Sequence, residues 1–598
     1  MNKDSSKISP TGVKRLEDNM TLEKAGWGGE EVPGNAAPVR SPANEGPPGH
    51  GRGPEGPPGV GGAPSGQIPM AALLTLVIGA FMAILDGSIV NVALPKMMAI
   101  FGVAADQAQW VMTAYLLVSG VVVPVTGYLG DRFGYKNMYI FSLLAFTAGS
   151  AICSLAWSNN SLVIARVIQA VGGGMIMPVS MAMIYVIVPR DKIGMALGIW
   201  GISAMAAPSI GPTLGGYLVD HFSWQWIFSI NIPIGIAATF LAMVILSDTP
   251  RKAHLKPDIP GTILSAVACF ALLLALSEGQ DKGWTSLYIV NLFIISGFTL
   301  ALFVIWELIA PEPLLDIKLL KNKTFSISLV CLAIVTVCMF SAIFLIPLFA
   351  QTVQGYTPMQ TGLMMMPMAL TMGVMMPISG RLFDKIGAMP LCVVGFAITV
   401  ITTYQLHTLT YNTGIRELQW LLVERAVGMG LCMMPLTTAG MNTIPHFLIG
   451  RASAISNLVR QISASFGITF LTFVTLHRQE YHTVWLADTV NWSSPAAVGM
   501  LQQIQSIISQ AGSSGAQAGV SGATSVLYSL VRREAFISGI EDAFIVSTIF
   551  AVLALPLVFF LSKKRMEAQR AAEYKRYAHL MPPGPAVGGS VKNARVKN

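Results

Sequence analysis

The sequence predicts an all-α polytopic membrane protein with fourteen membrane-spanning helices. Of its 598 residues, 53% are hydrophobic and only 11% are charged, and the mean hydropathy is +0.60. Ordinary soluble domains carry about 25% charged residues, so this composition excludes a soluble protein of this size. From Ile68 onward apolar runs of about 20 residues recur, and each is long enough to cross about 30 Å of hydrocarbon.

The charge distribution orients these spans. They lie near 69–95, 107–129, 138–157, 161–187, 194–219, 226–247, 259–277, 286–307, 325–350, 359–380, 388–407, 418–445, 450–476 and 541–562. Alternate loops hold most of the basic residues: Arg132, Lys136, Arg190, Lys192, Arg251, Lys252, Lys256, Lys318, Lys321, Lys323, Arg381, Lys385 and Arg451. The opposite short loops hold only Lys96, Lys282 and Arg416. By the positive-inside rule the basic loops are cytoplasmic, and an even number of spans places both termini there too.

Two polar regions lie outside the predicted spans. Residues 1–67 are rich in Pro, Gly and charge, so we expect a disordered tail and not a cleavable signal peptide. The segment 477–540 is rich in Gln, Ser and Gly, and the layout makes it an external loop with helical patches. A cap, a partner-docking element and a tolerated insertion remain open as its role.

The sequence carries no pattern typical of an enzyme. It contains no HExxH, no GxSxG, no clustered His or Cys ligands and no GxxxxGK[ST] motif for ATP. The net charge of +8 comes from short loops and tails, so a nucleic-acid partner is not expected. The cysteines lie in apolar runs without C-x-x-C spacing and predict neither a disulfide nor a metal site: Cys153, Cys269, Cys331, Cys338, Cys392 and Cys432. We expect no cofactor.

Two opposite charges lie inside apolar spans. Asp86 is in ALLTLVIGAFMAILDGSIVNVALP, and Arg166 is in SLVIARVIQAVGGGMIMPVSMAMIYVIV. A charge in hydrocarbon costs several kcal/mol unless it is paired or lines a wet cavity, so both are candidate functional residues. Helical rise gives them compatible depths, about 13 Å and about 9 Å from the external ends of their spans. Direct contact does not follow from this arithmetic, and Asp86 could instead cap a helix break at Gly87.

A loop motif, TGYLGDRFGYKN, follows the second span. Its glycines, Gly127, Gly130 and Gly134, allow close helix approach and a tight turn. Asp131 and Arg132 can form charge-assisted bonds to a neighbouring helix end and lock one side of the protein shut. The alternative is an ordinary charged loop that only sets the topology.

A second copy of this motif, GRLFDKIG at 380–387, favours the lock. It places Asp384 and Lys385 where the first copy has an acid followed by a base. Repeated halves are what a transporter needs when one bundle rocks against the other.

The fifth predicted span contains Gly211, Pro212, Gly215 and Gly216 in the pattern GPTLGG. Proline removes a backbone hydrogen bond, and the glycines permit bending or close packing. The alternative is a membrane helix with ordinary small packing residues.

The motifs and their order resemble one known family. The chain resembles the major facilitator superfamily, in the fourteen-span drug/proton antiporter branch of the EmrB and QacA type. The resemblance covers about 69–562 and rests on LDGSIVNVALP (85–95), WVMTAYLL (110–117), GYLGDRFGYKN (127–137), RVIQAVGGG (166–174), GPTLGG (211–216), WQWIFSINIPIG (224–235) and RASAISNLVRQISASFG (451–467).

The resemblance implies roles for the candidate residues. Asp86 is the proton-linked acid and Arg166 the coupling arginine. The two loop motifs form a conformational latch, and the GPTLGG motif at 211–216 is the antiporter signature of the fifth span. The implied fold is two six-helix bundles, 68–250 and 311–563, joined by two extra helices in 251–310 and followed by a basic tail, 564–598. In a cell with an outer membrane, the resemblance also implies a periplasmic adaptor of the EmrA kind.

Other polar residues inside the spans are candidates for lining a cavity, although hydrogen bonding between helices is the commoner role for most of them. These are Asn91, Tyr115, Gln169, Gln351, Arg425, which resembles a second-half counterpart of Arg166, and Arg460. Methionines crowd the tenth span, where they serve either as core filler or as an adaptable binding surface. Embedded arginines outnumber embedded acids, so neutral or weakly acidic lipophilic compounds fit better than dications.

The leading hypothesis is therefore a proton-coupled multidrug efflux antiporter in the plasma or inner membrane, driven by the proton gradient. A second hypothesis is an exporter or flippase of one endogenous lipid, siderophore or antibiotic, because the fold does not fix the substrate. A third, from another class, is a membrane receptor or scaffold that does not transport.

Overall fold

The computed structural model describes residues 68–189, 192–249, 251, 254, 256–489, 495–510 and 516–576, and every regular element in them is a helix. The predicted all-α class is confirmed. Thirteen of these helices are long and apolar enough to cross a membrane. The fifth predicted span corresponds to a helix of 29 residues, Ile193–His221, which is also long enough.

The first half of the chain forms six spans and the linker forms two more. The first-half helices are α1 (Met70–Phe101), α2 (Ala105–Phe133), α3 (Tyr135–Ser154), α4 (Asn159–Ile187), α5 (Ile193–His221), α6 (Trp226–Ser229) and α7 (Asn231–Ile245). The linker helices are α8 (Ile259–Lys282) and α9 (Leu287–Ile309). The short α6 and α7 together form one span, Trp226–Ile245, with a break at Ile230.

The second half repeats this order and adds an extension. Its helices are α10 (Lys323–Thr352), α11 (Pro358–Ile386), α12 (Ala388–Gln405), α13 (Ile415–Met441), α14 (Ile449–Thr489), α15 (Pro495–Gln510), α16 (Ala516–Val558) and α17 (Lys563–Arg576). The last of these begins the basic tail. The predicted tail 1–67 and the end of the 564–598 tail lie outside the described residues.

The segment 477–540 differs from the predicted loop. Within its described residues it is mostly helical, because α14 and α16 each continue past their predicted spans and α15 packs on α16. The 41 residues of α14 make one helix about 60 Å long, roughly twice the hydrocarbon thickness. Arg478 of α14 pairs with Asp542 of α16 at 2.5 Å, and this bond joins α14 just past its predicted span to α16 at the start of its predicted span.

The two halves meet tightly at the end of the molecule that carries the basic loops, here called the basic face. Gly127 of α2 faces Gly450 of α14, where an added Cβ would come within 3.0 Å of the Gly450 carbonyl oxygen. Gly380 of α11 faces Gly194 of α5, where an added Cβ would come within 2.1 Å of the carbonyl oxygen. The two halves therefore meet through equivalent glycine-to-glycine contacts at which backbone approaches backbone.

Substitution of Gly380 tests this contact. A valine side chain there has no room beside Gly194, so we expect Gly380→Val to lower stability by about 1–3 kcal/mol. The apparent melting temperature in detergent should fall by several degrees. Gly297→Val is the matched control, because an added Cβ at Gly297 in α9 meets nothing within 4 Å. Equal melting temperatures for both variants would contradict the close contact.

Candidate functional site

The two predicted intramembrane charges form a buried ion pair. Asp86 of α1 is 0% exposed and Arg166 of α4 is 1% exposed. The Arg166 Nη1 atom lies 2.5 Å from Asp86 Oδ2. The contact that sequence arithmetic left open is therefore present, and it joins α1 to α4 in the interior of the first bundle.

Two amides complete the environment of the Asp86 carboxylate. Gln169 Nε2 donates to Asp86 Oδ1 at 2.9 Å, and Asn231 Nδ2 donates to the same oxygen at 2.8 Å. Gln169 also accepts from Arg166 Nη1 at 2.6 Å and donates to Ser150 Oγ at 2.7 Å. An ionised carboxylate only accepts hydrogen bonds, so this set of donors fits the charged form of Asp86.

The Arg166 guanidinium is held on its other sides as well. Its Nε donates to the carbonyl oxygen of Val111 at 3.2 Å. The guanidinium carbon lies 4.2 Å from the ring centroid of Tyr115 and 5.6 Å from that of Phe228. Cation–π contacts of this kind are stronger where water is excluded. Tyr115 and Gln169, both predicted as candidate cavity residues, thus belong to the ion-pair site.

Sequence reasoning missed Asn231. It is the first residue of α7, directly after the break at Ile230, and this position turns its amide toward Asp86. The available signal was a lone amide in the apolar run WIFSINIPIG. Ser150 was missed for a different reason: a single serine in a membrane helix usually bonds its own backbone.

The GPTLGG motif packs α5 against α1 next to the ion-pair site. Added Cβ atoms at Gly211 and Gly215 of α5 would come within 1.9 Å of Ser88 Oγ and 3.2 Å of the Ile89 carbonyl oxygen. These two glycines therefore let α5 pack directly on the turn of α1 that follows Asp86. Gly216 differs, because an added Cβ there meets nothing within 4 Å. Pro212 lies within the same helix.

At the basic face the first loop motif contacts the start of α14. Asp131 accepts from the Tyr135 hydroxyl at 2.7 Å, and its Oδ2 lies 3.9 Å from Nε of Arg451, in the first turn of α14. Gly130 leaves room for the Tyr135 ring, which an added Cβ would approach within 2.2 Å. A carboxylate beside a helix N-terminus is also stabilised by the helix dipole.

Two other members of this motif act locally. Arg132 donates to the Tyr128 hydroxyl at 2.6 Å, on its own helix, instead of bonding to the neighbouring helix end that the sequence suggested. Gly134 has φ +88, a backbone conformation that favours glycine, and it ends α2 directly before α3.

The second motif copy has an equivalent placement. An added Cβ on Gly194, in the first turn of α5, would lie 2.8 Å from Asp384 Oδ1, so this carboxylate sits against the start of α5. Asp131 and Asp384 therefore face the N-terminal turns of two equivalent helices, α14 and α5. Lys385 is exposed.

The remaining candidates lie apart from the ion pair. Asn91 is exposed on α1, Gln351 is exposed at the end of α10, and Arg460 is partly exposed on α14. Arg425 is 1% exposed in α13 and donates to the Cys338 carbonyl oxygen and, at 3.1 Å, to Ser341 Oγ.

Helix packing shows that Arg425 does not lie at the level of Arg166, the residue to which the sequence matched it. In α4, Gly172 packs against α3, where an added Cβ would meet backbone atoms of Phe146. In α13, Gly428 packs in the same way against α12. Because Gly428 matches Gly172, Arg425 occupies the level of Gln169, one helical turn from the level of Arg166.

The helices form two related halves, and an ion pair is buried inside the first half. This arrangement is typical of a multi-pass membrane transporter. Residues 76–468 match the family model of the Major Facilitator Superfamily, and the chain belongs to this family. Its members are transporters and not enzymes.

Comparisons with individual proteins agree. An uncharacterized MFS-type transporter of Bacillus subtilis, YhcA, is 36% identical over 518 residues, which is 87% of this chain and 97% of YhcA. The multidrug export protein EmrB of Haemophilus influenzae is 30% identical over 494 residues, 82% of this chain and 95% of that protein. The fold is similar to that of the MFS proton:xylose symporter XylE, with a TM-score of 0.50 at 12% identity, over 82% of this chain and 96% of XylE.

A double-mutant cycle tests the energetic link between Asp86 and Arg166. Removing one partner leaves a buried charge unpaired, so we expect Asp86→Leu or Arg166→Met alone to cost about 3–5 kcal/mol. The double variant Asp86→Leu/Arg166→Met should recover most of this loss, because both charges leave together. Apparent melting temperatures in detergent measure the effect, and additive losses in the double variant would argue against the pair.

Proposed function

We propose that this protein is a proton-coupled antiporter that exports lipophilic compounds by alternating access. The Asp86–Arg166 pair carries the proposal, because it is a titratable acid and its counter-charge buried inside one bundle. The basic face is then the cytoplasmic face, with both termini on that side.

The hydrogen bonds of Asp86 support a role for this residue in proton exchange. All three donors, from Arg166, Gln169 and Asn231, stabilise the ionised carboxylate. A proton that binds Asp86 removes its charge and displaces at least one donor, which weakens the junction of α1, α4 and α7. Protonation from outside then changes how these helices pack and releases substrate, and deprotonation toward the cytoplasm restores the pair.

Closure at the basic face supplies the other half of the cycle. Asp131 with Arg451, and Asp384 with the start of α5, hold the two bundles together on this side. Opening toward the cytoplasm has to separate both contacts and both glycine pairs. This placement supports the proposed role of the two loop motifs as a latch.

The relatives support the substrate class. Several of them are multidrug export proteins by name, among them the EmrB proteins of Haemophilus influenzae and Escherichia coli. We propose neutral or weakly acidic lipophilic compounds as substrates, and in a cell with an outer membrane an adaptor of the EmrA kind as a partner. An exporter or flippase of a single endogenous compound, and a receptor or scaffold that does not transport, are the alternatives.

Efflux from proteoliposomes under a pH gradient tests the proton coupling. We expect Asp86→Asn to abolish gradient-driven export, because asparagine cannot exchange a proton, while substrate exchange without a gradient continues. Equal proton-driven export by Asp86→Asn and wild type would exclude Asp86 as the coupling acid. Ligand binding without proton movement or efflux in any variant would favour the receptor.

Thiol labelling tests the latch. We expect Asp131→Asn/Asp384→Asn to increase labelling of a cysteine introduced at Ser453 by a membrane-impermeant reagent applied to the basic face. The reason is that the two carboxylates lose their charge beside the starts of α14 and α5. Lys136→Gln, which removes a contact with Asp248 within the first half, is the control. Unchanged labelling in the double variant would contradict a latch.

A further inference from the structure

The second bundle contains a buried cation whose charge is not matched. Arg425 of α13 is 1% exposed, and among the residues that the structure describes its Nε and Nη1 atoms have no hydrogen-bond partner. Its bonds go to two neutral groups of α10, the Cys338 carbonyl oxygen and the Ser341 hydroxyl. Within the described part of the chain, no carboxylate forms an ion pair with it.

The nearest acid in sequence does not neutralise this charge. Glu424 is exposed, and adjacent helical residues point about 100° apart around the axis. In the first bundle the buried arginine is neutralised, because Asp86 lies 2.5 Å from Arg166. Arginine stays protonated in proteins, so Arg425 keeps a positive charge that the second bundle does not compensate.

An unpaired buried guanidinium is costly, and a bound anion would relieve that cost. Two hydroxyls extend from Arg425 in a chain: Ser341 Oγ accepts from Arg425 Nη2 at 3.1 Å, and Ser547 Oγ of α16 lies 3.2 Å from Ser341 Oγ. The Ser341 O–H already donates to the Cys338 carbonyl oxygen at 2.5 Å. The donors left for carboxylate or sulfonate oxygens are the N–H groups on Nε and Nη1 of Arg425 and the O–H group of Ser547.

A methionine-rich apolar core lies on the same helices as this cluster. The core is formed by α10, α11, α12, α13 and α16 and includes Met339, Met372, Met376, Met429 and Met433. Arg425 lies about one helical turn from Met429 on α13. Flexible thioethers adapt to ligands of different shape. Two of these methionines, Met372 and Met376, belong to the tenth span, where the sequence left core filler and binding surface open.

We propose that Arg425, with Ser341 and Ser547, is the subsite for the anionic group of a lipophilic organic anion, whose apolar body packs against the methionines. This inference rests on the proposed export function and names one substrate class for it. The subsite is closed in this conformation and opens when α10 and α13 separate during the cycle.

Equilibrium binding of two isosteric probes to purified full-length protein tests the subsite. The probes are 2-naphthoate, an anion, and 2-naphthamide, its neutral analogue. We expect the wild type to prefer the anion by about tenfold, equivalent to about 1.4 kcal/mol. Arg425→Gln should lose this preference and still bind the amide, whereas Arg425→Lys should keep part of it. Arg416→Gln, an exposed position on the same helix, is the matched control and should behave as wild type.

Two outcomes would overturn the proposal. One is an unchanged preference for 2-naphthoate in Arg425→Gln. The other is stabilisation of the wild type by chloride over gluconate without any preference for 2-naphthoate, which would assign Arg425 to a resident inorganic ion. The binding measurement requires no pH gradient, so it tests Arg425 even if Asp86 proves not to couple protons. In the same way, the efflux test of Asp86 does not depend on the role of Arg425.

Discussion

The burial of opposite charges between α1 and α4 is the constraint on which the rest of the first bundle depends. Asp86 and Arg166 tolerate a nonpolar interior only while each has its partner, and the amides of Gln169 and Asn231 occupy the remaining acceptor positions. To supply these groups, α4 has to lie beside α1, and α7 has to begin at the same depth. The ion pair thus determines the relative positions of three helices.

Close backbone approach is the second requirement, and glycine provides it. Gly211 and Gly215 bring α5 against the turn of α1 that follows the acid, and they transmit its position to α5. The other end of α5 meets α11 through Gly194 and Gly380. The packed backbone of α1 and α5 therefore runs continuously from Asp86 to the contact between the two bundles at the basic face.

The sequence predicted the class of fold, the order of the spans and both charged partners, because these depend on hydrophobic length and on the cost of charge in hydrocarbon. It did not predict Asn231, whose orientation depends on a helix break at Ile230 that has no strong local signal. Arg132 also differed, since an arginine at a helix end can reach its own helix as easily as a neighbour. The sequence matched Arg425 to Arg166, but Arg425 lies one helical turn away from the equivalent position. The glycines at which the helices pack identify equivalent positions better than a shared arginine does.

The length of α14 has a mechanical consequence. This one helix begins at the contact with Asp131 and ends about 60 Å away, beyond the bond between Arg478 and Asp542. A helix of that kind moves as a stiff lever, so any tilt that frees its first turn displaces its far end in the opposite direction. Because α16 is bonded to α14 near that far end, opening the contact at the basic face would also move the helical extension at the opposite end of α14. A molecule bound to the extension would then be affected by the conformation of the basic face.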